Sequence, residues 1–197
     1  MRALRLATSN PHKVREVREL LAGLDVQLET LAGLPPIAEP DESADTFAGN
    51  ARIKARSYAA HFPGELVVSE DSGLEIDAMD GAPGVHSARF LGPAATYDER
   101  FAEILRRLDG LPDERRSARF VCALAVAEGD TIRFETRGVV EGRIARAAAG
   151  AGGFGYDPLF FHPLLQQTLA EAGSAKAAVS HRARAVAALA RWLRQLE

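Results

Sequence analysis

Short apolar runs alternate with longer segments of helical spacing along most of this chain. The predicted strands are apolar runs at residues 3–8, 26–31, 66–69, 74–79 and 159–162. The predicted helices repeat apolar side chains at intervals of three and four, at residues 11–22, 46–61, 97–108 and 182–196. Two further runs, 118–127 and 131–141, are joined by Glu-Gly-Asp and predict an antiparallel hairpin. Strands linked by helices, together with one hairpin, indicate an α/β fold with a mixed sheet.

Composition predicts a single domain over residues 1–197. The hydrophobic share of 47% is enough to build a core, and neither a linker nor an internal repeat divides the chain. A net charge of -3 gives no reason to expect stable binding to nucleic acid or to an anionic membrane. The single cysteine, Cys122, stands in an apolar run and is expected to be a buried, unreactive thiol. Because the sequence has neither a signal-peptide pattern nor a membrane-spanning stretch, we expect a cytoplasmic protein.

The sequence ATSNPHK joins the first predicted strand to the first helix. Asn10 is the expected N-cap and Pro11 the first helical residue, which would direct backbone N–H groups beyond the strand end. Lys13 lies in the first turn, where the helix dipole disfavours a cation, so a bound phosphate would explain its presence. Alternatively, Thr8, Ser9 and Asn10 only cap the helix and Lys13 is solvated.

The acidic sequence EDSG follows the third apolar run. Adjacent strand residues point to opposite faces, so Glu70 and Asp71 share a cleft only if a turn at Gly73 begins between them. A carboxylate at a strand end suits Mg²⁺ that is shared with substrate phosphates, and it can also deprotonate an attacking water. Alternatively, this is an acidic turn in which Asp71 bonds to the local backbone while Glu75 and Asp77 face solvent.

Two sequences near the C-terminus add aromatic and cationic residues. GAGGFGYDP is predicted to be a loop whose glycines let the backbone approach a flat ligand stacked on Phe154 or Tyr156. Alternatively, both rings pack in the core. KAAVSHRARA places Lys176, His181 and Arg182 before and at the start of the last helix, which favours a bound anion or a polar base. The alternative is solvated charge with a structural histidine. Because these groups fall at the ends of elements, together they favour a magnesium-bound nucleoside polyphosphate.

Five motifs span almost the whole chain: ATSNPHKVREV, TFAGNARIKA, EDSGLEIDAMDGAPGVHSARF, GGFGYDPLF and KAAVSHRARA. In order and spacing they resemble the inosine triphosphate pyrophosphatase family, hydrolases of deaminated purine nucleoside triphosphates. The resemblance implies a homodimeric α/β protein with a long mixed sheet and two lobes around a central cleft. It also implies conversion of ITP, dITP or XTP to the monophosphate and pyrophosphate with Mg²⁺.

The resemblance further implies roles for individual residues. Asp71 matches the general base and metal-linked carboxylate, and a second metal carboxylate is expected from Asp41 or Glu42. Substrate binding is implied for the positions that match the triphosphate segment, the acidic motif, the base-side loop and the segment that closes on the nucleotide. These are Thr8, Ser9, Asn10, Pro11, His12, Lys13, Ser72, Phe154, Gly155, Tyr156, Asp157, Lys176, His181 and Arg182.

Three positions depart from the family pattern. Glu70 stands where aspartate is frequent, which keeps the charge but moves it by one methylene. Gly49 replaces the acid of the usual Glu-Asn-Ala, and Ala177 replaces the asparagine of the usual Lys-Asn. The first change keeps a carboxylate suited to metal binding, the second leaves no acid at that point, and the third would loosen the nucleotide-closing turn.

The hypothesis that follows is in-line attack on the α-phosphorus by a water activated by Asp71, with Mg²⁺ and Lys13 stabilising the departing pyrophosphate. Donors at the purine six-position oxygen would accept inosine and xanthine and would oppose the amino group of adenine. Two alternatives stay open: a related pyrophosphatase for modified pyrimidine nucleotides, and a nucleotide-sensing or RNA-binding module without chemistry. The acidic net charge argues against RNA.

Overall fold

The computed structural model describes residues 2–23 and 25–196. In this part of the chain seven strands join into one sheet. The strands are β1 (Arg2–Leu6), β2 (Val26–Thr30), β3 (Leu66–Ile76), β4 (Ser117–Glu128), β5 (Thr131–Ile144), β6 (Phe160–His162) and β7 (Gln167–Thr168). The α-helices are α1 (Pro11–Leu20), α2 (Phe47–Ala59), α3 (Tyr97–Arg107), α4 (Ala175–Val179) and α5 (His181–Arg194).

The strand order is β2-β1-β3-β4-β5-β6-β7. Strand β1 pairs in parallel with both β2 and β3, whereas β6 pairs antiparallel with β5 and β7. Strands β4 and β5 are neighbours joined only by Gly129 and Asp130, so they form the predicted hairpin. Because both kinds of pairing occur in one sheet, the predicted α/β fold with a mixed sheet is confirmed. None of the helices in residues 2–23 and 25–196 combines the length and apolar character needed to cross a bilayer.

The strand that carries the acidic motif differs from the prediction. β3 runs without a break from Leu66 to Ile76, so the prediction of two separate strands at residues 66–69 and 74–79, divided near Gly73, is wrong. Beyond this glycine, Leu74 and Ile76 are fully buried, and the Leu74 N–H donates to the Ser87 hydroxyl at 2.9 Å. Apolar side chains with a period of two therefore continue the strand through the glycine.

Two compact units can be distinguished, each with a hydrophobic core. The first comprises Met1–Asp71, Cys122–Gly138 and His181–Glu197, and the second comprises Ser72–Val121 and Val139–Ser180. In the first unit, Val17 of α1 and Leu189 of α5 belong to the same buried cluster as Leu6 of β1. In the second, the cluster is drawn from α3 and from the parts of β3 to β6 that belong to this unit.

The acidic residues lie where β1 has left the sheet. The Ala7 N–H donates to the Val68 carbonyl at 2.8 Å, and the Ser69 hydroxyl donates to the Ala7 carbonyl at 2.8 Å. Beyond this point the chain of β1 turns towards α1, while β3 continues. Glu70 and Asp71 therefore lie just past the end of their parallel neighbour.

Candidate active site

The start of α1 is capped from within the chain. Asn10 is the N-cap, and its Oδ1 accepts from the backbone N–H of His12 at 2.9 Å and of Lys13 at 3.4 Å. Thr8 Oγ1 accepts from the Asn10 N–H, and the Ser9 hydroxyl donates to Glu39 at 2.7 Å. The predicted cap is confirmed, with the exposed Pro11 as first helical residue. The capping alternative thus describes Thr8 and Asn10 correctly.

Lys13 is held by a buried carboxylate, so the alternative of a solvated lysine is wrong. Its ammonium lies 3.0 Å from Glu70 Oε1. Arg182 binds the same carboxylate through two hydrogen bonds, from Nε to Oε2 at 2.8 Å and from Nη2 to Oε1 at 2.9 Å. Its third nitrogen, Nη1, donates to Glu16 of α1. Glu70 thus joins α1 to the start of α5.

Burial alone would raise the pKa of Glu70. The charges of Arg182 and Lys13, with hydrogen bonds from Arg182 and Cys122, instead hold this pKa well below its usual value. Burial likewise opposes the charge of Arg182, whose side chain is 1% exposed, but Glu70 raises its pKa above the ordinary value. Glu70 and Arg182 therefore form a buried ion pair, and Arg182 is not a solvated charge.

Cys122 lies inside this network. Its side chain is fully buried, and Sγ donates to Glu70 Oε2 at 3.1 Å. Burial, followed by the charge of Glu70, raises the pKa of this thiol well above its ordinary value. This confirms the predicted buried thiol.

We expect Cys122 to resist alkylation in the folded protein at pH 8, because burial blocks access and the raised pKa removes the thiolate. Ellman's reagent should detect about one thiol only after denaturant is added, since the sequence holds a single cysteine. Rapid reaction of the native protein would contradict this arrangement.

Asp71 is held by two side chains of α2. Its Oδ2 accepts from Asn50 Nδ2 at 3.1 Å, and its Oδ1 lies 3.1 Å from Lys54 Nζ. The same ammonium lies 3.1 Å from Glu42 Oε1. Burial lowers the pKa of Lys54, but Asp71 and Glu42 outweigh this effect and raise it, so this lysine stays charged. Asp41, by contrast, is exposed.

The two carboxylates gathered around Lys54 fit a magnesium ion. Mg²⁺ prefers oxygen ligands and commonly takes one or two carboxylates, completing its shell with water and substrate phosphates. Asp71 and Glu42 already converge on one positive charge, that of Lys54 Nζ. Within the described ranges, no group of three or more His, Cys, Asp or Glu side chains is arranged around a metal position. A two-carboxylate site that relies on substrate oxygens matches this donor set.

Glu70 and Asp71 contact different helices because no turn separates them. Glu70 is bound by residues of α1 and α5, whereas Asp71 is bound by residues of α2. Strand alternation produces this separation. The prediction that the two acids do not share one cleft without a turn agrees with these contacts.

The second acid pair of the motif has a structural role. Arg119 of β4 lies 3.7 Å from Glu75, 2.9 Å from Asp77 and 3.2 Å from Glu141 of β5. One guanidinium on the sheet surface therefore gathers three carboxylates. Glu75 and Asp77 therefore compensate the charge of Arg119.

In the second unit, Asp157 organises the glycine-rich loop. Its Oδ2 accepts from the Phe154 N–H and from Lys176 Nζ, both at 2.8 Å. The Lys176 ammonium also lies 4.9 Å from the centroid of the Phe154 ring. Gly153 adopts φ 71°, and a Cβ there would come within 2.1 Å of Asp157 Oδ2. The close turn therefore requires glycine at this position.

The two aromatic residues of this loop differ. Tyr156 is buried, its hydroxyl donates to the Ser87 carbonyl at 2.8 Å, and its ring meets Tyr97 edge-on, so the core-packing alternative describes it. Phe154 is half-buried beside Gly155, so of the two aromatic residues it is the more exposed.

The remaining predicted site residues differ in their exposure to solvent. His12 is exposed, with Nδ1 3.2 Å from an Arg15 nitrogen, and Ser72 is half-buried on β3. His181 is buried as the first residue of α5. Ser180 is the C-cap of α4, directly before α5.

The sequence-based prediction of site residues did not include Asn50 and Lys54, although both lie in the motif TFAGNARIKA. They occupy the face of α2 that also carries the buried Phe47, Ala51 and Ala55. Polar side chains at core-facing positions of an amphipathic helix were the available signal. The glycine that replaces the family acid also has a local cause, because a Cβ on Gly49 would lie 2.5 Å from that of Ala44.

Comparison with known sequences agrees with this geometry. The Ham1 family model matches residues 4–192. The chain is 46% identical over 182 residues to a dITP/XTP pyrophosphatase from an Exiguobacterium species, covering 92% of this chain and 91% of that protein. It is 41% identical over 192 residues to a dITP/XTP pyrophosphatase from Listeria monocytogenes, covering 97% and 94%.

Solved structures show the same fold. A HAM1 protein from Coxiella burnetii superposes with a TM-score of 0.87 at 39% identity, covering 99% of this chain and 100% of that one. A nucleoside-triphosphatase / dITP/XTP pyrophosphatase from Mycobacterium abscessus superposes with a TM-score of 0.76 at 41% identity, covering 95% and 98%. The similarity therefore extends over nearly the whole chain.

Proposed function

The chain belongs to the Ham1 family, and we propose that it hydrolyses the deaminated purine nucleotides ITP, dITP and XTP to monophosphate and pyrophosphate. It is a nucleoside triphosphate pyrophosphatase. The observation that carries the finer proposal is the buried Asp71, held by Asn50 and Lys54 next to Glu42.

Asp71 has the features of a general base for water. Each of its oxygens accepts one hydrogen bond from α2, and an ionised carboxylate has about four acceptor sites, so sites remain for a water molecule. The two contacts fix the carboxylate in one orientation, which a proton acceptor needs in the transition state. Asp71 accepts the water proton as the oxygen attacks the α-phosphorus.

Asp71 and Glu42 would hold Mg²⁺, while Asp41 would not, because only the first two share a cation position. When bound, the ion supplies Lewis-acid polarisation of the phosphates. Lys13, whose side chain is 17% exposed, supplies a fixed positive charge at the start of α1 for the departing pyrophosphate.

In the second unit, Phe154 would stack on the purine. The Asp157–Lys176 pair holds the loop that carries this ring, so the stacking surface is formed before the base arrives. Donors facing the six-position oxygen would accept inosine and xanthine, whereas adenine would oppose them with its amino group.

The test is pyrophosphate release from ITP, XTP, GTP and ATP measured side by side, with and without Mg²⁺, together with modified pyrimidine triphosphates. We expect rapid release from ITP and XTP, little from ATP, and dependence on the ion. Preference for a pyrimidine, or binding without release, would contradict the proposal. A homodimer stays a prediction of the family resemblance, and a cytoplasmic location stays a prediction from the sequence pattern. Analytical ultracentrifugation tests the first.

Glu42→Gln is expected to raise the Mg²⁺ concentration for half-maximal activity about 10- to 100-fold, a range typical of altered metal surroundings. The physical reason is the loss of one of two carboxylates around the Lys54 position. Asp41→Asn is the matched control, since this neighbouring acid is exposed and should leave the requirement unchanged. Equal shifts in both variants would show that general surface charge, not coordination, sets the magnesium dependence.

A further inference from the structure

We propose that Glu70 is a positioning residue that orients Lys13 for the reaction and does not bind the metal ion. The inference rests on the proposed function and assigns this acid a role separate from that of its neighbour Asp71. The argument starts from how the Glu70 carboxylate is occupied.

Four donors use both oxygens of Glu70. Oε1 is 2.9 Å from Arg182 Nη2 and 3.0 Å from Lys13 Nζ. Oε2 accepts from Arg182 Nε at 2.8 Å and from Cys122 Sγ at 3.1 Å. An ionised carboxylate offers about four acceptor sites, so these donors fill it. A metal ion would have to displace one of them inside a buried cluster.

The contrast with Asp71 supports the assignment. Each Asp71 oxygen has one donor from α2, and one of those donors is the ammonium shared with Glu42. Glu70 instead is buried and pairs with Lys13 of α1 and Arg182 of α5. The two neighbouring acids therefore differ in free acceptor sites, although the sequence presents them as a pair.

Glu70 also keeps two cations close to each other. Arg182 Nη2 and Lys13 Nζ lie within 3.0 Å of the same oxygen, and like charges at such short range repel unless an anion lies between them. Arg182 is further fixed by Glu16 on α1. If the negative charge of Glu70 is removed, we expect the Lys13 side chain to move, because Lys13 is more exposed than Arg182.

This arrangement predicts a separation of binding from catalysis. Glu70→Gln removes a negative charge beside Lys13, so binding of a polyphosphate should be unchanged or tighter. Turnover should nevertheless fall about 10- to 100-fold, the cost of misplacing a group that acts in the transition state. A metal ligand would behave differently, because its loss raises the Mg²⁺ requirement.

The experiment is a double-mutant cycle on the full chain with Glu70→Gln, Lys13→Met and the double variant. With ITP as substrate, we expect kcat to fall in both single variants. The kcat of the double variant should lie within about twofold of that of Lys13→Met, because the effects of coupled residues do not add. The Mg²⁺ concentration for half-maximal activity should stay unchanged in Glu70→Gln. Additive losses, or a magnesium shift like that of Glu42→Gln, would overturn the proposal.

A second measurement is independent of turnover. The affinity for inorganic tripolyphosphate is measured by calorimetry without metal. It should be at least about tenfold weaker in Lys13→Met and no weaker in Glu70→Gln. The binding stoichiometry reports the folded fraction of each variant. If the wild type releases no pyrophosphate from ITP, the proposed function fails, but this binding pattern still decides the role of Glu70. Weaker binding in Glu70→Gln at full stoichiometry would overturn it.

Glu65→Gln is the matched control. Glu65 also binds an arginine through two contacts, from Arg5 Nε at 2.7 Å and Nη2 at 3.3 Å, but it precedes β3 and lies outside the site. This variant should leave kcat and tripolyphosphate affinity at the wild-type level. A loss equal to that of Glu70→Gln would assign both effects to general structural damage.

Discussion

Replacing Asp71 by Asn is expected to lower kcat for ITP by about 100- to 10,000-fold, the usual contribution of a positioned general base. The amide keeps the shape of the side chain but cannot accept the water proton, and it weakens the pairing with Lys54. The measurement is steady-state pyrophosphate release at saturating Mg²⁺. Near wild-type turnover would remove Asp71 as the base.

The control for this variant is Asp77→Asn. Asp77 follows the same strand but pairs with Arg119 on the sheet surface, so its loss should leave kcat within about twofold of wild type. Saturating magnesium separates a lost base from weakened metal binding: a defect that disappears as Mg²⁺ is raised would leave Asp71 only a ligand.

Asp157→Ala is expected to destabilise the fold by about 3–5 kcal/mol, because it leaves the buried Lys176 ammonium without its carboxylate. It also removes the acceptor of the Phe154 N–H, so the loop loses the contact that closes its turn. Chemical denaturation measures the free energy of unfolding. For a chain of this size the melting temperature should fall by roughly 6–20 °C, at about 2–4 °C for each kcal/mol.

A suitable comparison for this stability loss is Asp113→Ala. Asp113 also pairs with basic side chains, Arg143 and Arg146, but its own side chain is 43% exposed. Surface pairs contribute roughly 0–1 kcal/mol, so the loss should be small. Equal effects of the two substitutions would contradict the special importance of the buried pair. Under conditions in which the Asp157→Ala variant is folded, its KM for ITP should rise, because the loop that carries the Phe154 ring is no longer held.

Local patterns allowed much of the fold to be predicted. Asn10 and Pro11 form the predicted helix start, because a cap depends on residues only two or three positions apart. The alternation of apolar runs and helical segments predicted the α/β class and the β4–β5 hairpin. The prediction failed at Gly73, where the turn propensity of the residue was outweighed by the burial of Leu74 and Ile76 on either side of Glu75.

Long-range contacts explain why some site residues could not be predicted from the sequence. Lys54 and Asn50 are distant from Asp71 in the chain and reach it only because α2 packs next to β3. No spacing rule distinguishes Glu42 from Asp41, since both lie in one acidic loop. The choice follows from which carboxylate the folded loop places on the Lys54 ammonium.

By itself, the sequence determined the element types, the helix cap, the family and the set of charged residues available for chemistry, because these depend on composition and short-range spacing. Only the tertiary structure decided which partners these charged residues have. Glu70 pairs with Lys13 and Arg182, whereas Asp71 is bound by Asn50 and Lys54. The physical reason is that an uninterrupted strand turns adjacent side chains to opposite faces, and different helices cover those faces.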